Sequence, residues 1–249
     1  MLKIKRNPYL FLLLFSLLVF APIWLSVFSI KNDLLTGYFP VRFFFSESIT
    51  AGYIPWWNPY VNFGIPQHAD MSGGFWNPIT WLISDTAGYN IYTINLEALF
   101  YVLIGGIGMY KLGKVWNWNT EVKLVIAVSY MCCGYFIGNL QHLNWISGAG
   151  YLPWCYYFYV QILQGYHHRK LLQNVFAFSL LVTSSHPGIL IGCIYFFLLV
   201  TGNHILKELK SKKLNEILWQ QKQLLLLLLL LLVSNAALII SYAEVLPDI

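Results

Sequence analysis

The chain has 249 residues, of which 58% are hydrophobic and 10% charged, with a mean hydropathy of +0.60. A soluble globular chain carries about 25% charged residues, so the composition excludes an ordinary soluble domain and points to an all-α, multi-pass membrane protein. The net charge of +5 does not point to nucleic acid, because the bases gather in short hinges between apolar runs, as membrane topology requires.

Met1 to Pro8 carries Lys3, Lys5 and Arg6 and leads into an apolar run over 9–30. That run exceeds the core of a cleaved signal, about 7–15 residues, and no small-x-small site follows it. It is expected to be an uncleaved first span with its N-terminus in the cytoplasm.

Residues 31–90 differ from everything else. Five of the ten prolines lie there (Pro40, Pro55, Pro59, Pro66 and Pro78), which forbids one long helix. Its aromatic content is too high for a disordered linker. Within it, Val41, Phe44, Phe45 and Ile49 fall on one helical face and Arg42, Ser46, Glu47 and Thr50 on the other, with Gly52 placed to stop the helix. This predicts a short helix in the membrane interface. Trp56, Trp57, Trp76 and Trp81 suit the headgroup layer. The stretch reads as a folded outer loop.

Further spans are expected over 90–112, 124–140, 146–163, 171–185, 188–203 and 224–241, giving seven in a single transmembrane domain over 1–249. The four cysteines (Cys132, Cys133, Cys155, Cys193) all fall in these spans without a C-x-x-C pair, as small buried residues do. Lys111, Lys114 and Lys123 mark one hinge, His167-His168-Arg169-Lys170 another, and Lys207, Lys210, Lys212, Lys213 and Lys222 a third. With the N-terminal trio, thirteen of fifteen Lys and Arg lie on one side. The 31–90 loop, Gln141-His142, Ser185-His186-Pro187 and the C-terminus are therefore expected outside. Lys207–Gln223 is expected as a solvated cytoplasmic helix and Leu224–Leu232 as lipid-facing filler.

This topology brings Asp33, His68, Asp70, His142 and His186 to one membrane surface. Carboxylates and imidazoles in a partly desolvated layer can exchange protons, grip phosphate or bind a metal. Taken singly, a His at a helix end is more often a capping or interface residue than a catalyst, and Asp33 serves equally well as an N-cap. Glu97 lies seven residues into the second span. A carboxylate at that depth marks either a functional site or a protonated interhelical link, with Asn95 beside it.

The order of motifs resembles the bacterial YfhO family of membrane proteins, which are similar to glycosyltransferases of the GT-C fold. Four blocks carry the resemblance: Asp33 followed by Tyr38-Phe39-Pro40-Val41-Arg42; Gly52-Tyr53-Ile54-Pro55-Trp56-Trp57-Asn58-Pro59-Tyr60 continuing to Gly64-Ile65-Pro66 and Asn77-Pro78; His142 with Trp145 and Pro153-Trp154; and His186-Pro187-Gly188. Trp56 stands where the family usually has a smaller aliphatic residue. Against the family pattern the chain stops at Ile249, past the seventh span, so it is expected to be an N-terminal portion of a truncated or split product.

The resemblance implies a membrane glycosyltransferase moving a sugar from a polyprenyl-phosphate donor to a cell-envelope polymer, such as a teichoic acid, on the outer face. It assigns Asp33 as the catalytic base. Arg42, His142 and His186 are candidates for the donor phosphate, His68 and Asp70 for the acceptor or a divalent metal ion, and Glu97 for the substrate site. Membrane lipid and a second chain supplying further helices are the other expected partners. The alternatives are a transporter or flippase for a lipid-linked or small solute, for which Glu97 is the one group approaching midplane depth, and an inactive fragment or scaffold.

Overall fold

The protein is described as a computed structural model covering residues 7–70, 72–165, 168–210 and 214–245. Lys3, Lys5, Arg6, His167, Lys212 and Lys213, which the sequence places among the cytoplasmic hinges, lie outside the described residues. So does Ile249.

Asn7 caps the first helix, α1 (Pro8–Val19), its Oδ1 accepting from Leu10 N at 3.2 Å. Pro8 sits in the first turn, where its missing N–H costs nothing. The single helix expected over 9–30 does not form. Pro22 has no N–H to give and its ring crowds the preceding turn, so the chain breaks at Phe20 and continues only as α2 (Ala21–Trp24).

A π-helical turn over Leu34–Tyr38 leads into α3 (Phe39–Thr50), which ends before Gly52 at φ +84°. Two short strands, β1 (Trp57–Asn58) and β2 (Ile65–Pro66), pair antiparallel with Trp57 opposite Pro66 and Asn58 opposite Ile65. Gly64, at φ +111°, closes this hairpin beneath the Trp57 ring: a Cβ there would lie 2.5 Å from Trp57 Cζ2. Asn77 then caps α4 (Pro78–Thr86), with Pro78 in the first turn. The Asn-Pro step announces this helix in the sequence, although the expected loop contained only one.

Asn90 and Thr93 form a capping box on α5 (Ile91–Leu112). Next come α6 (Thr120–Met131), capped by Asn119, and α7 (Gly134–Asn139). They are followed by α8 (Leu143–Leu163), α9 (His168–Ser184), α10 (Pro187–Lys210), α11 (Leu214–Ser234) and α12 (Ala236–Val245). The chain is nearly all-α, and among the described residues four segments are long and apolar enough to cross a membrane: Ile91–Leu112, Thr120–Asn139, Pro187–Lys210 and Leu214–Ser234.

Of residues 207–223, expected as a solvated cytoplasmic helix, the described ones fall at the end of α10, up to Lys210, and at the beginning of α11, from Leu214. Gln220 ties the start of α11 to α8 by donating to Leu163 O at 2.8 Å, with His204 Nε2 of α10 3.0 Å from its Oε1. The expected final span over 224–241 is interrupted at Asn235. Leu227 is buried, whereas Leu225, Leu228, Leu229 and Leu232 face outward.

α8 is the hub, lying between α5 and α9 and buried along most of its length. Small residues make its approach to α5 possible. A Cβ on Gly150 would fall 2.6 Å from Tyr101 O, and one on Gly105 would fall 3.4 Å from Gly150 Cα. Helices in an apolar solvent gain little from hydrophobicity between themselves and rely on this close backbone contact.

The bundle has two unlike ends. At one, Lys111 and Lys114 lie over the Tyr9 ring and Lys123 over Tyr110. At the other sit the 31–90 segment and the starts of α8 and α10.

Gly150→Ala should force α5 and α8 apart and lower the thermal unfolding midpoint of the purified protein. Gly192→Ala, where a Cβ meets nothing within 4 Å, should leave it unchanged. An unaltered Gly150→Ala midpoint would mean that this contact does not limit stability.

Candidate functional site

The loop is fastened to the bundle by a buried ion pair. Arg42 comes from α3 and Glu97 from α5, with Arg42 Nη2 3.8 Å from Glu97 Oε1 and the two side chains 5% and 0% exposed. The carboxylate accepts from Tyr89 OH at 2.8 Å and Tyr101 OH at 2.9 Å, and Tyr101 OH in turn accepts from Asn77 Nδ2 at 2.9 Å. The guanidinium donates to Gly73 O at 2.8 Å and to the Thr80 hydroxyl.

Gly74, at φ +68°, leaves space that only a missing side chain can provide, because a Cβ there would overlap the Arg42 guanidinium. Burial is the strongest influence on Arg42 and lowers its pKa, but Glu97 together with Tyr89, Tyr101 and Asp70 outweighs it and the value is raised. Burial, reinforced by Glu97, holds the Tyr89 phenol well above its ordinary value. This hydroxyl therefore stays protonated and donates.

Part of the face of α3 that periodicity marks as polar is thus turned inward: Arg42 and Ser46 are buried beside Val41 and Phe45, while Thr50 stays exposed. Arg42 reaches Glu97, and Ser46 Oγ accepts from Tyr89 N at 3.1 Å. Phe43 and Glu47 face out instead. Arg42 and Glu97, candidates for substrate contact, both lie in this sealed interior as partners of one ion pair.

Asp33 belongs to a second, open cluster. Asn32, at φ +56°, turns the chain after the α2 region, and its Nδ2 donates to Gln141 Oε1 at 2.8 Å. That contact sets Asp33 Oδ2 3.0 Å from His142 Nδ1, with the side chains 57% and 26% exposed. Trp145 lies between the two histidines, its ring 5.3 Å from His142 on one side and 5.3 Å from His186 on the other. His186 N donates to Asn144 O at 3.0 Å, joining the starts of α8 and α10. His186 Nδ1 accepts from Gly188 N at 3.0 Å, so in the neutral ring the proton sits on Nε2.

Tyr38 OH donates to Asn144 Oδ1, and Asn144 Nδ2 reaches Ser72 Oγ at 3.4 Å. Burial, with help from Asp33 and Asp70, pushes the Tyr38 pKa up to about 12, against a weaker opposing pull from Asn144 and Arg42. Asp70 sits beyond Ser72, accepting from its N–H at 2.9 Å.

The structure therefore brings Asp33, His142 and His186 together and places Asp70 at their margin. His68 lies apart: its Nδ1 is 3.2 Å from Trp56 O and its ring packs against Trp56 and Phe75. Among the described residues no group of three or more His, Cys, Asp and Glu is placed to hold a metal ion. The sequence assigns no role to Asn144 or Asn77, although Asn77 stands in the Asn-Pro block. Asn77 could be found from its Asn-Pro cap, whereas Asn144 carries no local signal.

Glu97→Gln should strand the buried guanidinium, and removing one partner of a buried pair costs about 3–5 kcal/mol. Arg42→Met combined with Glu97→Leu should recover much of the loss, as measured by thermal unfolding. A single variant as stable as the parent would show that the pair does not fasten the loop.

No family model, no curated protein and no solved structure matches the chain.

Proposed function

We propose that the chain is a glycosyltransferase of the cytoplasmic membrane that moves a sugar from a polyprenyl-phosphate donor to a cell-envelope polymer on the outer face. The observation that carries this reading is the exposed Asp33 carboxylate, held 3.0 Å from His142 at the end of the bundle opposite Lys111, Lys114 and Lys123. A lipid-borne phosphate lies at such an interface, and a base open to water can meet a hydroxyl acceptor there.

In this reading Asp33 takes the proton of the acceptor hydroxyl. The acceptor oxygen bonds to the anomeric carbon as the bond from that carbon to the donor phosphate oxygen breaks, and the electron pair leaves with polyprenyl phosphate. His142 in its protonated form donates through Nδ1 to Asp33, leaving Nε2–H for the phosphate. His186 presents its Nε2–H beside Trp145. Both donors lie where negative charge develops. Arg42 and Glu97 touch no substrate and act by holding the loop. Asp70 and Ser72 border the acceptor side.

The architecture is read as GT-C-like, with seven crossings. Four are the long apolar helices, and α1–α2, α8 and α9 supply the others. α8 spans about 31 Å at 1.5 Å per residue, and enclosure by α5 and α9 relieves it of the need to be apolar all round. The excess of bases at the far end orients the site outward.

Asp33→Asn keeps the size of the side chain and removes its basicity, so transfer of labelled sugar from membrane lipid to envelope polymer should fall about 10²–10⁴-fold. An equally expressed Asn variant with near-normal transfer would remove Asp33 from the chemistry and make His142 the base. Orientation is tested separately. In a variant lacking the native cysteines, exposed Ser72→Cys should react with an impermeant maleimide in intact cells. Reaction only after permeabilisation would place the whole cluster on the cytoplasmic side.

A further inference from the structure

The outward face of α3 forms one wall of a cavity of about 410 Å³ lined by Pro40, Phe43, Phe44, Glu47, Tyr53, Asn58, Tyr60 and Val61. Four of these residues are aromatic, and Glu47 is the one ionisable acid among them. No Lys, Arg or His lines the cavity. Glu47 has no ion-pair partner among the described residues, and Asn58 is already occupied by Gln67 Oε1 at 3.0 Å and Tyr60 N at 3.0 Å.

The walls are fixed before any ligand arrives. The turn at Gly52 is closed by Tyr53 N donating to Ser48 O at 3.1 Å, which brings Tyr53 back beside α3. Asn58 Oδ1 holds the Tyr60 backbone, and the Tyr60 ring packs edge-on against Phe44 at 5.5 Å. The cost of these contacts is unusual exposure: Phe43 is 46%, Tyr53 53% and Tyr60 81% exposed.

Aromatic faces carry negative quadrupole charge and attract cations, above all weakly hydrated organic ammonium groups. A carboxylate among them adds a full charge of the same sign, and no basic side chain opposes it. We propose that this cavity binds an alkylammonium group, with Glu47 as counter-charge and Phe43, Tyr53 and Tyr60 as the aromatic walls. This site is separate from the Asp33–His142 cluster and does not rest on the transferase reading.

The ammonium can belong to a lipid headgroup or to a soluble amine, and the probes separate the two sources. The full-length protein is placed in nanodiscs of phosphatidylglycerol, which carries no ammonium, and binding of radiolabelled choline is measured. Saturable binding is expected, with 3,3-dimethyl-1-butanol, the neutral isostere of choline, failing to compete. Glu47→Gln should weaken binding about tenfold, equivalent to about 1.4 kcal/mol, and Tyr60→Ala should weaken it as well.

Glu47 and Tyr60 are exposed, so both variants should keep the parent unfolding midpoint. Nanodiscs containing phosphatidylcholine that abolish choline binding would identify the lipid headgroup as the source, and unchanged binding would identify a soluble amine. Equal competition by the neutral isostere, unaltered affinity in Glu47→Gln, or no saturable choline binding would each overturn the site.

Discussion

The fold depends on one buried ion pair. At low local dielectric an Arg–Glu contact is strong, but removing both charges from water costs several kcal/mol per ion, so the pair persists only where neighbours satisfy the remaining groups. Here the backbone of Gly73, the hydroxyls of Thr80, Tyr89 and Tyr101, and the room left by Gly74 do so for all but Arg42 Nε, which has no hydrogen-bond partner among the described residues. The pair joins α3 to α5 across a long stretch of sequence that is otherwise turns, a two-residue strand pair and short helices. The exposed hydrogen bond from Asn32 to Gln141, the bonds from Tyr38 to Asn144 and from Asn77 to Tyr101, and aromatic packing hold the rest of the loop to the bundle.

The loop motifs then have a structural explanation. Trp57 covers Gly64, Asn58 holds Gln67, and Asn77 both caps α4 and donates to Tyr101. Phe75 sits among Phe45, Trp56, Trp76 and Trp81. These contacts build a rigid lid on one end of the bundle, and Pro-Trp-Trp-Asn-Pro-Tyr serves as its scaffold. The groups open to chemistry lie beside the lid, where the chain leaves α2 and where α8 and α10 begin.

That position follows from α8. Its glycines allow α5 to come within backbone contact, and its first turn carries His142, Asn144 and Trp145. Asn144 is the junction, meeting Tyr38 from the loop, Ser72 from the lid and the His186 backbone from α10. A side chain with both a donor and an acceptor suits a point where separate segments converge.

The sequence by itself determined the membrane class, the apolar runs, the gathering of bases at one end and the return of Asp33, His142 and His186 to the other. Hydrophobic length and charge placement act through the solvent on each segment alone, so they can be read from local sequence. The tertiary structure decided which face of α3 is buried. Periodicity separates Arg42 and Ser46 from Phe44 and Ile49, but it cannot show that Glu97 and Tyr89 wait far along the chain to pair with the polar side. It also decided that Pro22 ends the first helix early and that His68 packs against Trp56 instead of joining Asp70. Each of these outcomes turns on a partner distant in sequence or on the balance between a helix break and burial, and neither is written in a local pattern.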